Sequence, residues 1–116
     1  MPRLNHVALT VTDRPRSAHF YAEYFGLTER IHEDDHLLLI APAGGGDLLA
    51  LSEGEVPAGL PRTNHFGFHA ESVDEVHTAR ERFRAARVEE AEWQESRPTR
   101  VQVFDPDGYR VEIYAF

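Results

Sequence analysis

The chain has 116 residues, 41% of them hydrophobic, and a formal net charge of −8. That length holds one domain with one core, and the acidic balance argues against a nucleic-acid partner. With no cysteine there can be no disulfide, thiolate metal site or cysteine nucleophile; with no lysine there can be no Schiff base, lysine-anchored pyridoxal cofactor or P-loop.

Residues 4–11, LNHVALTV, alternate: Val7, Leu9 and Val11 take one face, and His6, Ala8 and Thr10 the other, as in a half-buried strand. Asp13 offers an N-cap with Pro15 just inside it, and Ala18, Tyr21, Ala22 and Phe25 form the apolar stripe of a helix that Gly26 ends. Strands are expected at about 28–33, 36–41 and 47–52, punctuated by Asp34-Asp35 and by the run from Pro42 to Gly46. No helix pattern follows Gly44-Gly45-Gly46, which reads as a hairpin and not a phosphate loop. Residues 53–62, EGEVPAGLPR, hold two prolines and two glycines with little periodicity and read as a linker.

The second half repeats the plan. Residues 64–70 alternate, with Phe66, Phe68 and Ala70 on one face and His65, Gly67 and His69 on the other. Ser72 and Glu75 form a capping box opening a helix whose buried stripe is Val76, Ala79, Phe83 and Ala86. Strands follow near 88–93, 99–104 and 109–115, with FDPDGYR (104–110) as a turn. His6 matches His65 at an offset of 59, and DLLAL (47–51) matches YRVEI (109–113) at 62. Each half therefore reads strand, helix, strand, strand, strand, a duplicated module.

The alternation places His6 and His65 on strand faces turned away from the helices. In YRVEIYAF, Val111, Ile113 and Ala115 take the apolar face, and Arg110, Glu112 and Tyr114 take the other. A carboxylate between Val and Ile on a closing strand needs a partner, because an unpaired buried charge costs several kcal/mol. Two neutral imidazoles and a carboxylate form a facial triad for a divalent metal with open positions, where a substrate can bind through two oxygens. The plainer alternative is two strand-end imidazoles and a buried acid paired with an Arg. By the offset of 62, Glu112 corresponds to Ala50, so no fourth ligand is expected. Asn5 and Asn64 are expected to fix the strand ends, facing opposite to the His residues. His19 and His77 are expected on helices and partly exposed, and His32 and His36 beside a turn. Arg100 and Arg110 are candidates to anchor a substrate carboxylate, and Trp93 to wall the cleft or cap a sheet edge.

NHVALTV, HFYAEYFGL, NHFGFHA and FDPDGYRVEIY together resemble the vicinal oxygen chelate superfamily, the glyoxalase, bleomycin-resistance and extradiol-dioxygenase group, over essentially the whole chain. The resemblance implies an α+β fold in which two βαβββ modules form a cupped mixed sheet around a metal, with His6, His65 and Glu112 as ligands. It gives a single domain over 1–116, with module one at about 1–53, a linker at about 54–62 and module two at about 63–116.

The subfamilies are not matched equally. Enzymes resembling glyoxalase I, and methylmalonyl-CoA epimerases, use a fourth ligand where this chain has Ala50. Fosfomycin thiol transferases use Thr, Trp, Lys and Tyr at positions that fall here on Ala8, Leu48, Gln94 and Gln102. Similarity to extradiol dioxygenases implies His69 and Tyr114 as catalytic groups that handle substrate protons. Bleomycin-type binding proteins are small and acidic but generally lack the triad. The expectation is a metal-dependent enzyme using Fe, Mn, Zn or Ni on a small-molecule substrate, with dioxygenase chemistry ranked slightly above lyase or transferase chemistry. The alternative is a non-catalytic drug- or ligand-binding protein. A homodimer is expected from open sheet edges. With no signal-like N-terminus and no apolar run near about 18 residues, a cytoplasmic protein without a membrane partner is expected.

Overall fold

The structure is a computed structural model describing residues 1–61 and 63–116; Arg62, at the end of the expected linker, lies outside the described residues. The chain divides into two compact units, Met1–Pro57 and Ala58–Phe116.

Unit 1 contains β1 (His6–Val11), α1 (Arg14–Phe25), β2 (Glu29–Glu33), β3 (Leu38–Ala41) and β4 (Leu48–Glu53), with the sheet ordered β1-β4-β3-β2. Strand β1 runs parallel to β4, while the β4–β3 and β3–β2 pairings are antiparallel. Unit 2 contains β5 (His65–His69), α2 (Val73–Ala85), β6 (Glu90–Glu95), β7 (Thr99–Phe104) and β8 (Arg110–Ala115), ordered β5-β8-β7-β6 with the same parallel and antiparallel pattern. The element order and the two βαβββ modules are those expected.

The helix signals act as chemistry requires. Asp13 Oδ1 accepts from Arg16 N at 3.0 Å, Pro15 occupies the first turn, and Gly26 closes α1 at φ 72°. The buried face of α1 is Ser17, Ala18, Phe20 and Tyr21, so Phe20 joins the core, while Ala22 and Phe25 are only partly covered. At α2, Ser72 Oγ accepts from Glu75 N at 3.2 Å, but the Glu75 carboxylate reaches past Ser72 and takes Glu71 N at 2.9 Å. Val76 and Phe83 are its buried residues, and Ala86 is exposed.

Strand β6 starts at Glu90, not near 88. Arg87 adopts the left-handed φ of 59°, and Val88 N bonds back to Phe83 O at 2.9 Å, so both residues serve the helix terminus. No glycine marks this stop. The turn at 104–110 is organised by buried Asp105, whose Oδ1 accepts from Asp107 N and Tyr109 N, each at 2.9 Å.

The core of unit 1 is made of Leu9, Val11, Tyr21, Leu38, Ile40 and Leu51, and that of unit 2 of Val76, Phe83, Val101, Val103, Val111 and Ile113. In unit 2 these residues join α2 to β7 and β8 and turn the opposite sheet face outward. That outward face carries the polar residues of β5, β7 and β8.

Candidate functional site

Register places the polar residues of unit 2. Parallel pairing sets His65 beside Arg110, Gly67 beside Glu112 and His69 beside Tyr114. Antiparallel pairing sets Gln102 beside Glu112 and Arg100 beside Tyr114. Val111 and Ile113 are buried on the helix side, so alternation turns Glu112 to the other face. Glu112 is nevertheless only 9% exposed. Its Oε1 accepts from Arg100 Nη1 at 3.2 Å and Gln102 Nε2 at 3.4 Å, and lies 3.8 Å from His65 Nε2. The acid thus has the guanidinium partner of the plainer sequence reading, with the His65 imidazole close by.

An oxygen acceptor just before each histidine sets its imidazole orientation. His65 Nδ1 lies 3.0 Å from the Thr63 carbonyl oxygen, and His6 Nδ1 lies 3.1 Å from Asn5 Oδ1. Each oxygen is an acceptor, so the proton of a neutral imidazole belongs on Nδ1 and the lone pair on Nε2. Asn5 does fix the strand end, its carbonyl accepting from Leu48 N at 2.8 Å. Its side chain, however, joins His6 instead of facing away, because β1 begins only at His6 and strand alternation does not reach residue 5.

Unit 1 repeats the register without the acid. His6 pairs with Leu48, and Ala8 with Ala50, so Ala50 stands where Glu112 stands in unit 2. Leu39, beside Ala50, takes the place of Gln102. Unit 1 therefore offers His6 alone from the expected set. Within either unit, among the described residues, no three His, Asp or Glu side chains converge as a complete metal cage; unit 2 brings two of the expected ligands together.

The His69 and Tyr114 rings stack at 5.0 Å with 24° between their planes. Arg100 Nη2 lies 3.7 Å from Glu92 Oε1, and Arg110 Nη1 lies 3.8 Å from Glu92 Oε2 and 3.2 Å from Gln102 Oε1. Thr63, His65, Glu92, Arg100, Gln102 and Glu112 line a cavity of about 430 Å³. Glu92 escaped the sequence reading for a physical reason. A bulge between Glu90 and Glu92 breaks the alternation of β6. Glu90 consequently pairs with Arg80 of α2 at 2.7 Å, while Glu92 meets the arginines on the opposite face. Trp93 lies under Arg80 at 4.1 Å and edge-on to His77 at 5.2 Å, so it caps the sheet edge.

The family model for the Glyoxalase/Bleomycin resistance protein/Dioxygenase superfamily matches residues 3–113. The chain belongs to that superfamily. The fosfomycin resistance protein FosX from Listeria monocytogenes shares the fold, with a TM-score of 0.83 at 24% identity over 100% of this chain and 94% of that one. A possible glyoxalase from Bacillus cereus gives 0.81 at 26% identity, covering 97% of each chain. Lactoylglutathione lyase from Agrobacterium tumefaciens gives 0.76 at 24% identity, over 97% of this chain and 92% of that one. FosX has also been solved as a complex with Mn(II) and sulfate. Among curated proteins none matches this chain at a significant level. No helix among the described residues is long and apolar enough to cross a membrane.

Proposed function

We propose that this superfamily member is a metal-dependent enzyme whose small substrate chelates a divalent cation through two oxygens, with His6, His65 and Glu112 as the protein ligands. The supporting observation is the shared hydrogen-bond pattern of the two imidazoles. In each, Nδ1 is engaged by an oxygen acceptor, which leaves the Nε2 lone pair to bind. The donor set fits such a cation. Two ligands held about 2.1 Å from a metal lie about 3–3.5 Å apart, and His65 Nε2 and Glu112 Oε1 are 3.8 Å apart. Fe, Mn, Zn and Ni all suit two imidazoles and a carboxylate. When bound, the cation supplies Lewis acidity and sites for substrate oxygens.

His69 and Tyr114 are the proposed groups for moving substrate protons, and their stacking holds the imidazole beside the phenol. Ala50 withholds the second carboxylate that a glyoxalase I type of proton shuttle uses, so dioxygenase or other lyase and transferase chemistry is favoured over isomerisation. A homodimer is the proposed assembly, because β1, β2, β5 and β6 are edge strands of their own sheets.

A second reading, a non-catalytic ligand-binding protein, draws support from Glu112 itself, which Arg100 and Gln102 already satisfy. Metal content of untagged protein, measured by mass spectrometry beside Glu112→Ala, separates the two. About one equivalent per chain, lost in the variant, is expected for the enzyme. No uptake after reconstitution would sink it and favour the binding protein.

A further inference from the structure

We propose that Arg100 reads an anionic group of the substrate, and that Glu112 holds this arginine in place until a cation takes the carboxylate. The inference rests on the metal-dependent reading above.

The two arginines near the cavity are committed differently. Arg110 is tied to Gln102 Oε1 at 3.2 Å and to Glu92, and lies over the Phe104 ring at 5.0 Å. Arg100 lines the cavity, keeps 23% of its side chain exposed, and touches Glu112 through Nη1 and Glu92 through Nη2. A guanidinium has five N–H donors in a planar fork, so Arg100 retains donors for a ligand.

Charge balance indicates the ligand. Glu92 and Glu112 offset Arg100 and Arg110, while His65 carries its lone pair toward the acid. A divalent cation on Glu112 leaves two positive charges in excess, and a site with that excess takes an anion. Oε1 already accepts from Arg100 and Gln102. A cation arriving there competes with the donors, and the charged donor is the one that like-charge repulsion releases. A released guanidinium matches a carboxylate in two-point geometry. The cavity of about 430 Å³ lies within the range of small-molecule sites. The substrate class assigned is a small acid that chelates through two oxygens and carries a further carboxylate.

Glycolate and malate test this, because both offer a hydroxyl and a carboxylate for chelation and only malate has a second carboxylate. Calorimetric titration of Mn(II)-loaded protein is expected to show malate binding about ten-fold or more tighter than glycolate. That margin should vanish in Arg100→Gln, return in part in Arg100→Lys, and be missing from metal-free protein. Mn(II) itself should bind several-fold tighter to Arg100→Gln, which lacks the internal competitor. Mn(II) uptake with the malate margin intact in Arg100→Gln, or an equal margin without metal, overturns the role of Arg100 and leaves the metal-dependent reading standing. Failure of the wild-type protein to take up Mn(II) overturns both.

Discussion

Glu112 and Gly67 are register partners across the β5–β8 pairing, and a Cβ on residue 67 would lie 3.4 Å from both Cβ and Oε2 of the glutamate. The glycine has ordinary strand geometry, so space and not backbone conformation is what it provides. Gly67→Ala makes normal van der Waals contact and should change stability by no more than about 0.5 kcal/mol. Gly67→Val pushes branches against the carboxylate; it should cost about 1–3 kcal/mol and weaken Mn(II) binding. Thermal unfolding and metal titration on both variants check this, and equal metal affinity in Val and Ala variants would remove Gly67 from the site.

Asn5→Ala separates metal binding from folding. The substitution deletes the Oδ1 acceptor at His6 Nδ1 and keeps the backbone carbonyl that holds Leu48 N. Outer-shell partners of ligating histidines are worth about 10–100-fold in metal affinity. Metal affinity should therefore fall by about that factor while the melting temperature stays nearly constant. A competition titration with a chelator reads the first quantity and calorimetry the second.

Ser17 is fully buried in α1, and its Oγ has no hydrogen-bond partner among the described residues. A buried hydroxyl left unsatisfied costs about 1–3 kcal/mol, and Ala is the better helix former. Ser17→Ala should be neutral or stabilising by up to about 1 kcal/mol. A clear loss of stability in urea unfolding would mean that the hydroxyl does have a partner in solution.

Asp34 sets an acid limb for unit 1. His32 Nε2 at 2.8 Å, followed by the amides of His36 and Leu37, lowers its carboxyl from 3.8 to about 2. A depressed carboxyl contributes stability that is complete above its unfolded value and is lost as pH falls through the folded one. The loss belongs to the window from pH 3.8 down to about 2. Asp34→Asn should flatten the stability profile in that window relative to wild type, and an NMR titration of the Asp34 carboxyl should show its midpoint near the lower end.

The duplicated plan was readable because strands β1 and β5 have a period of two and open on the same dipeptide, and because caps such as Asp13 and Gly26 act locally. Glu112 stood out for the same reason, as a charge on a closing strand with buried neighbours at 111 and 113. The Arg100–Glu112 contact was less legible. It joins positions 12 residues apart, and pattern alone left Arg100 and Arg110 equivalent. Their difference comes from the third dimension, where Phe104 and Gln102 hold Arg110. Glu92 was hidden by a one-residue bulge, which reverses side-chain faces without changing composition. The stop after α2 was hidden because an arginine adopts the left-handed conformation usually reserved for glycine.

Each sheet draws its four strands from one half of the chain, and its most distant pairings run only from 6 to 48 and from 65 to 110. Folding speed falls as contacting residues lie further apart in sequence. Either half can assemble its sheet without waiting for the other, so during synthesis the first half has its complete set of pairing partners before the second has emerged. Duplication has thus kept loop-closure entropy at the level of a chain half this size.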